Sequence, residues 1–240
     1  MEYATTKQIE ELYAFAKKSG LDTLAMVELG GWHTAMLLRH LRVARTFKIV
    51  IVCGDGRKGS YGLAAAKHLM NHRWNVSIVL VGEQSSGESQ YYIEILKNMG
   101  ASLTSYQPES GSTEKIIRQS HVVLDALLGP DASGERPRFI NEVIEIIGRA
   151  ASRVISLEVP SGLDGSTGMT FPPVLRAQAT LAFGLPTGAF LLKEGPSYSG
   201  KVFVADIGLP KFVYDHFALG SRPKFDVYPQ GFLPLEEYQL

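Results

Sequence analysis

Four glycines, Gly54, Gly56, Gly59 and Gly62, interrupt the stretch KIVIVCGDGRKGSYG over residues 48 to 62. An apolar β-branched run, a glycine loop and then a helical apolar pattern from Leu63 form the arrangement that binds phosphate. Bare backbone N–H groups at a helix N-terminus point outward, and the helix dipole favours an anion there. Gly54-x-Gly56-x-x-Gly59 also fits the dinucleotide fingerprint, with glycines for the turn, for close approach of a pyrophosphate and for helix–strand packing. A purely structural turn satisfies the same spacing.

Carboxylates recur where other apolar runs end. Glu83 follows VSIVLVG, Asp125 ends HVVLD, Glu135 lies in GPDASGERPRF, and Glu158 precedes Pro160-Ser161-Gly162-Leu163-Asp164. Glu83 stands where dinucleotide folds keep the acid that binds a ribose, and a solvated loop charge reads the same way. Asp125, beside a buried strand, needs a partner to stay ionised. Glu135 has Arg136 and Arg138 close by for salt bridges. Pro160-Ser161-Gly162 also reads as a plain turn. His68 and His72 lack the glutamate of an H-E-x-x-H metal motif, and Ser60 and Ser161 have no evident His/Asp partners for a hydrolytic triad. Cys53, ending an apolar run, reads as a small core hydrophobe.

Positioning these residues requires strands that end at one edge. Strands are predicted at 48–53, 76–81, 102–106, 121–125, 153–157, 178–183 and 201–206, with helices near 61–72, 87–99, 112–119 and 139–150. The alternation predicts a parallel sheet covered on both faces, with ligands outside the carboxyl ends of its strands. Two helices precede it, at 6–19, capped by Thr6, and from Asp22 or Thr23 to about Arg42. From Pro210 the chain is rich in Pro, Phe and Tyr without a helical period, which predicts an ordered tail over 210–240 packed on the body. No repeat, low-complexity tract or linker divides the 240 residues, so a single domain, 1–240, is expected.

Lys plus Arg and Asp plus Glu are equal at 24 each, so no overall field recruits nucleic acid or an anionic membrane. One cysteine excludes a disulfide framework and a cysteine-rich zinc site. No apolar run is long enough to span a bilayer, and the polar start MEYATTKQIEEL does not read as a secretory signal, so a soluble cytoplasmic protein is expected.

Four segments in order, IVIVCGDGRKGSYGLAAAKHL, VVLDALLGPDASGERPRF, SLEVPSGLDGSTG and FGLPTGAFLLKEGPSYSGKVFVADIGLP, resemble the motifs of the YjeF N-terminal domain family. Its enzymatic members are NAD(P)HX epimerases, which interconvert the R and S forms of hydrated nicotinamide nucleotides. The resemblance implies a Rossmann-like three-layer α/β/α sandwich with a mostly parallel central sheet, often a homodimer, and a dinucleotide-type ligand at the strand ends. NAD(P)HX would be substrate rather than cofactor. The resemblance further implies potassium held by Asp125 and by an asparagine of N-N-G-G-D, with the catalytic aspartate falling on Glu135 and a ligand-contacting aspartate on Asp164. The nucleotide-binding set would be Gly54, Gly56, Arg57, Lys58, Gly59, Ser60, Tyr61, Gly129, Ser133, Gly134 and Ser161.

The departures are specific. N-N-G-G-D-G is replaced by Arg57-Lys58-Gly59-Ser60-Tyr61-Gly62, the family's acid before P-S-G is Glu158, and the lysine of F-G-x-P-K either falls on Thr187 or is displaced. Lys58 aligns with the potassium-binding asparagine and Tyr61 with the loop aspartate. A lysine cannot coordinate potassium, so its ammonium is expected in the cation position, paired with Asp125; the alternative has Lys58 in solvent and the cation site lost. Three functions follow: a divergent epimerase with Glu135 as acid/base, a non-catalytic ligand-binding or scaffold module such as the family members in mRNA-decapping assemblies and apolipoprotein binding, or an enzyme of changed substrate. A fourth, a plain NAD-dependent dehydrogenase, is not expected, because no second catalytic domain is evident and the later motifs have other meanings.

Overall fold

The computed structural model describes residues 3–130, 135–217 and 223–238. Its elements are α1 (Thr6–Lys18), α2 (Thr23–His40), β1 (Lys48–Cys53), α3 (Arg57–Asn71), β2 (Asn75–Leu80), α4 (Gly87–Asn98), β3 (Ser102–Ser105) and α5 (Ser112–Arg118), then β4 (Val122–Ala126), α6 (Arg138–Ala150), β5 (Val154–Leu157), β6 (Ala179–Phe183), α7 (Gly195–Ser199), β7 (Lys201–Ala205), α8 (Lys211–His216) and β8 (Phe232–Pro234). They build one eight-stranded sheet in the order β3-β2-β1-β4-β5-β6-β7-β8. All neighbours pair in parallel except β7 with β8. The order reverses between β1 and β4, which opens a crevice at their carboxyl ends.

Alternation along β1 divides the core. Ile49, Ile51 and Cys53 face a cluster with Leu12, Met26 and Leu63 from α1 to α3, whereas Val50 and Val52 face one with Ile117, Val143 and Ile144 from α5 and α6. Burial on both faces is why β1 reads as an unbroken apolar run. On α6, Ile140, Val143, Ile144 and Ile147 repeat at the spacing of one helical face and are all buried. No helix among the described residues is long and apolar enough to cross a membrane.

Three expectations shift. The cap of α1 is Thr5, which exchanges hydrogen bonds with Gln8 in a capping box, not Thr6. Helix α3 starts at Arg57 rather than near 61, because Gly56, at φ +149°, makes the turn that releases the chain directly into the helix. The tail contains a helix, α8, and a strand, β8, whose Phe232 pairs with Ala205 and whose Pro234 ends it at the sheet edge.

Helices α2 and α3 touch backbone to backbone. A Cβ built on Gly31 would lie 2.4 Å from Ala64 Cβ and 2.7 Å from its carbonyl carbon. Gly31→Ala is therefore expected to lower stability by about 2–3 kcal/mol in urea unfolding. Gly87→Ala, where an added Cβ meets nothing within 4 Å, is expected to be neutral; equal losses from both would refute the packing argument.

Candidate functional site

Because α3 starts at Arg57, Lys58 sits in its first turn, and its side chain runs beneath the crevice rather than into solvent. It is 2% exposed, and Asp125 is 0% exposed. Nζ donates to Asp125 Oδ2 at 3.0 Å, to the Val159 carbonyl at 2.8 Å and to Ser161 Oγ at 3.2 Å. Three oxygens for three N–H bonds match an ammonium. Burial pulls the Lys58 pKa below the usual lysine range, and the Asp125 charge opposes that pull.

Asp125 is itself saturated. Besides Lys58 it accepts from Ser156 Oγ (2.9 Å), Ser161 N (2.9 Å), Ser161 Oγ (2.6 Å) and Leu127 N (3.1 Å). Ser161 Oγ also accepts from Leu128 N at 3.0 Å. The network therefore ties α3 to the segments after β4 and β5. A buried ion pair is tolerated when its remaining lone pairs and protons are satisfied in this way.

The glycines above this pair divide the work. A Cβ on Gly54 would stand 1.9 Å from the Leu127 carbonyl oxygen, and one on Gly59 would stand 2.0 Å from the Gly54 carbonyl oxygen. Both positions allow the protein's own backbones to approach. Gly56 faces open space at φ +149°, a conformation close to glycine-only. The Gly56 end of α3 has no side-chain cap, so its first amides remain available.

A cavity of about 420 Å³ opens there. Gly56 to Gly59 form one wall, Leu127 to Gly129 another, and Glu10, Asp55 and Glu158 supply carboxylates. Asp55 is held by Ser85, which donates its N–H and hydroxyl at 2.9 Å each. Arg57 grips Glu10 with both terminal nitrogens, at 2.6 and 3.2 Å, and reaches Glu158 at 3.4 Å through Nε. Its guanidinium lies 4.0 Å over the Tyr13 ring. Glu158 sits at φ +56°, an uncommon conformation for a residue with a side chain. A second cavity, about 300 Å³, shares Glu10 and Arg57 and adds Tyr13, Lys17, Ser60 and Ser86.

Gly56, Arg57, Lys58, Gly59 and Gly129 of the expected set thus line one cavity. Gly54 and Ser161 lie behind it. Ser60 lines the second cavity, its hydroxyl 2.9 Å from Ser89 Oγ. Tyr61 does not reach a ligand position: it is 0% exposed, stacks on Phe183 at 4.0 Å and shares a 2.7 Å hydrogen bond with the Tyr13 hydroxyl. Its ring occupies the space left by Gly30, where a Cβ would come within 2.3 Å. Burial pushes the Tyr13 pKa up to about 12 and that of Tyr61 well above its ordinary value, so both stay protonated near neutrality.

Of the carboxylates named from the sequence, Glu158 lines the cavity, whereas Asp125, Glu135 and Asp164 do not meet in it. Asp125 is beneath it. Asp164 Oδ1 accepts from Ser166 N, Thr167 N and Thr167 Oγ1, at 3.1, 2.7 and 2.7 Å, and so closes its own turn. Glu135 is exposed. Ser133 and Gly134 lie outside the described residues. The loops nevertheless join: Gly165 N donates to the Pro130 carbonyl at 2.9 Å, and Arg136 donates to the Phe171 carbonyl at 2.6 Å. Glu83 lines a separate cavity with Gln90 and Lys97. His68 lies 3.1 Å from Glu28, and no group of three potential metal ligands occurs among the described residues. Sequence reasoning missed Glu10 and Tyr13, which meet Arg57 only because α1 folds over the start of α3.

Residues 23–189 match the family model described as YjeF-related protein N-terminus. The NAD(P)H-hydrate epimerase of Dehalogenimonas lykanthroporepellens is 30% identical, over 85% of this chain and 80% of its own length. That of Weissella koreensis is 31% identical, over 68% and 71%. The bifunctional NAD(P)H-hydrate repair enzyme of Moorella thermoacetica is 32% identical over 68% of this chain, which spans only 32% of that longer protein. The crystal structure of a yeast protein superposes with a TM-score of 0.85 over 98% of this chain and 100% of its own, at 15% identity, and so shares the fold. The family match covers well over half of the sequence and includes the glycine loop, the Asp125 strand end and the Ser161 turn: the chain belongs to the YjeF-related protein N-terminus family.

Proposed function

We propose that the chain binds a hydrated nicotinamide dinucleotide of the NAD(P)HX type at the carboxyl edge of the sheet. The observation that carries this reading is the cavity of about 420 Å³ between the uncapped start of α3 and the Leu127–Gly129 segment, in a chain whose relatives are NAD(P)H-hydrate epimerases. Epimerisation needs a proton donor and acceptor at the hydrated ring carbon. Glu135, on the loop that leaves Gly129, is the residue we assign to that role. A second reading, binding without turnover, is favoured by the exposure of Glu135 and by the engagement of Asp164 with its own turn. The same proposal includes a homodimer in the cytoplasm, on the strength of the resemblance; light scattering after gel filtration checks it, with a dimer mass expected.

The potassium implied by the resemblance does not fit these residues. The carboxylate, carbonyl and hydroxyl oxygens that suit a hard cation already surround Lys58 Nζ. We assign the electrostatic place of the ion to this ammonium and route no step through a metal.

Incubation with S- and R-NADHX, alongside thermal shift with NADP and AMP, tests the function. A shift with NADP is expected, with interconversion that Glu135→Gln removes. Binding without interconversion supports the second reading; neither binding nor interconversion overturns both. For the ammonium, Lys58→Met is expected to cost about 3–5 kcal/mol in urea unfolding, because it strands a buried carboxylate. Lys58→Asn is expected to gain ~1 kcal/mol when potassium replaces sodium at fixed ionic strength, with the wild type unchanged. A potassium response of the wild type would refute the assignment.

A further inference from the structure

We infer that Arg57 is a gate between two halves of one dinucleotide groove and that Glu10 holds it shut, an inference that rests on the ligand class proposed above. The two cavities beside α3, about 420 and about 300 Å³, have Glu10 and Arg57 in common. The Arg57–Glu10 ion pair is their shared wall. Each volume lies toward the low end of the ~300–1,000 Å³ typical of small-molecule sites. Either suits one mononucleotide unit, whereas a dinucleotide needs both, joined through the wall.

The groups around the wall fit the parts of such a ligand. The guanidinium covers the face of Tyr13 at 4.0 Å, as a flat base would; planar guanidinium and heterocyclic rings both stack on aromatic faces. Its two terminal nitrogens hold the Glu10 carboxylate in a fork, the same geometry that would grip a diphosphate. Lys17, Ser60 and Ser86 in the second cavity add a cation and hydroxyls for a phosphorylated sugar. A dinucleotide would thus replace two of the three partners of Arg57 at once, its diphosphate taking the place of Glu10 and its base taking the ring, while Glu158 stays on Nε. A mononucleotide occupies one half and leaves the wall standing.

A closed wall lowers apparent affinity by the fraction of molecules in which it is open. Weakening the latch should therefore favour long ligands selectively. Glu10 is exposed on α1, so Glu10→Gln keeps the shape, removes the charge and puts little of the fold at risk. In calorimetric titrations Glu10→Gln is expected to tighten NAD⁺ about tenfold while changing AMP and nicotinamide mononucleotide by less than about twofold. Tyr13→Leu, which removes the ring face, is expected to weaken NAD⁺ about tenfold relative to the mononucleotides, and Tyr13→Phe to leave it within about twofold. Equal shifts for all three ligands in Glu10→Gln, or NAD⁺ unchanged, would overturn the gate while leaving the proposed function in place. No binding of any of the three, to wild type or variant, would remove both. If Tyr13→Leu does not fold, the ligand-length selectivity of Glu10→Gln still decides.

Discussion

An ammonium shut away from water must have an oxygen for each of its protons, and the arrangement that supplies them to Lys58 is what the rest of the site hangs on. Asp125, Val159 and Ser161 come from two strand ends, and Lys58 comes from the helix that follows a third. The pair is not a surface ornament that could be lost at little cost. Removing one partner would leave a desolvated charge, so the glycine loop, the Asp125 strand end and the Ser161 turn are held in one register.

That register explains the glycines more directly than ligand contact does. Gly54 and Gly59 are small because the Leu127 and Gly54 carbonyls press against them. Only Gly56 leaves its space open, at the mouth of the cavity. The dinucleotide fingerprint is thus partly a packing rule here: two glycines let protein approach protein, and one leaves room for something else.

Charge in the cavity is arranged as clamps rather than as a free positive surface. Lys58 is committed to Asp125, Asp55 to Ser85, and Arg57 to Glu10, Glu158 and the Tyr13 ring. An anionic ligand must compete for these donors. That competition makes α1 part of the site, although α1 precedes the glycine loop by dozens of residues and carries no motif.

The fold was largely legible from the residue pattern, because β1 to β5 alternate with helices and because burial on both faces leaves unbroken apolar runs in the strands. Family membership was legible too, from four ordered segments; the pairing of Lys58 with Asp125 was one of two alternatives that the resemblance left open, and the fold decided between them. Local pattern could not show that Tyr61 turns into the core, that Asp164 spends an oxygen on its own turn, or that Glu10 and Tyr13 enclose Arg57. Side-chain direction at a helix start depends on where the helix begins, and here Gly56 moved that start by several residues. Contacts between α1 and α3 depend on how two helices pack over a sheet. The sequence alone determined which charges had to find partners; only the tertiary structure decided which partners they found, because burial makes pairing obligatory while three-dimensional packing sets what is within reach.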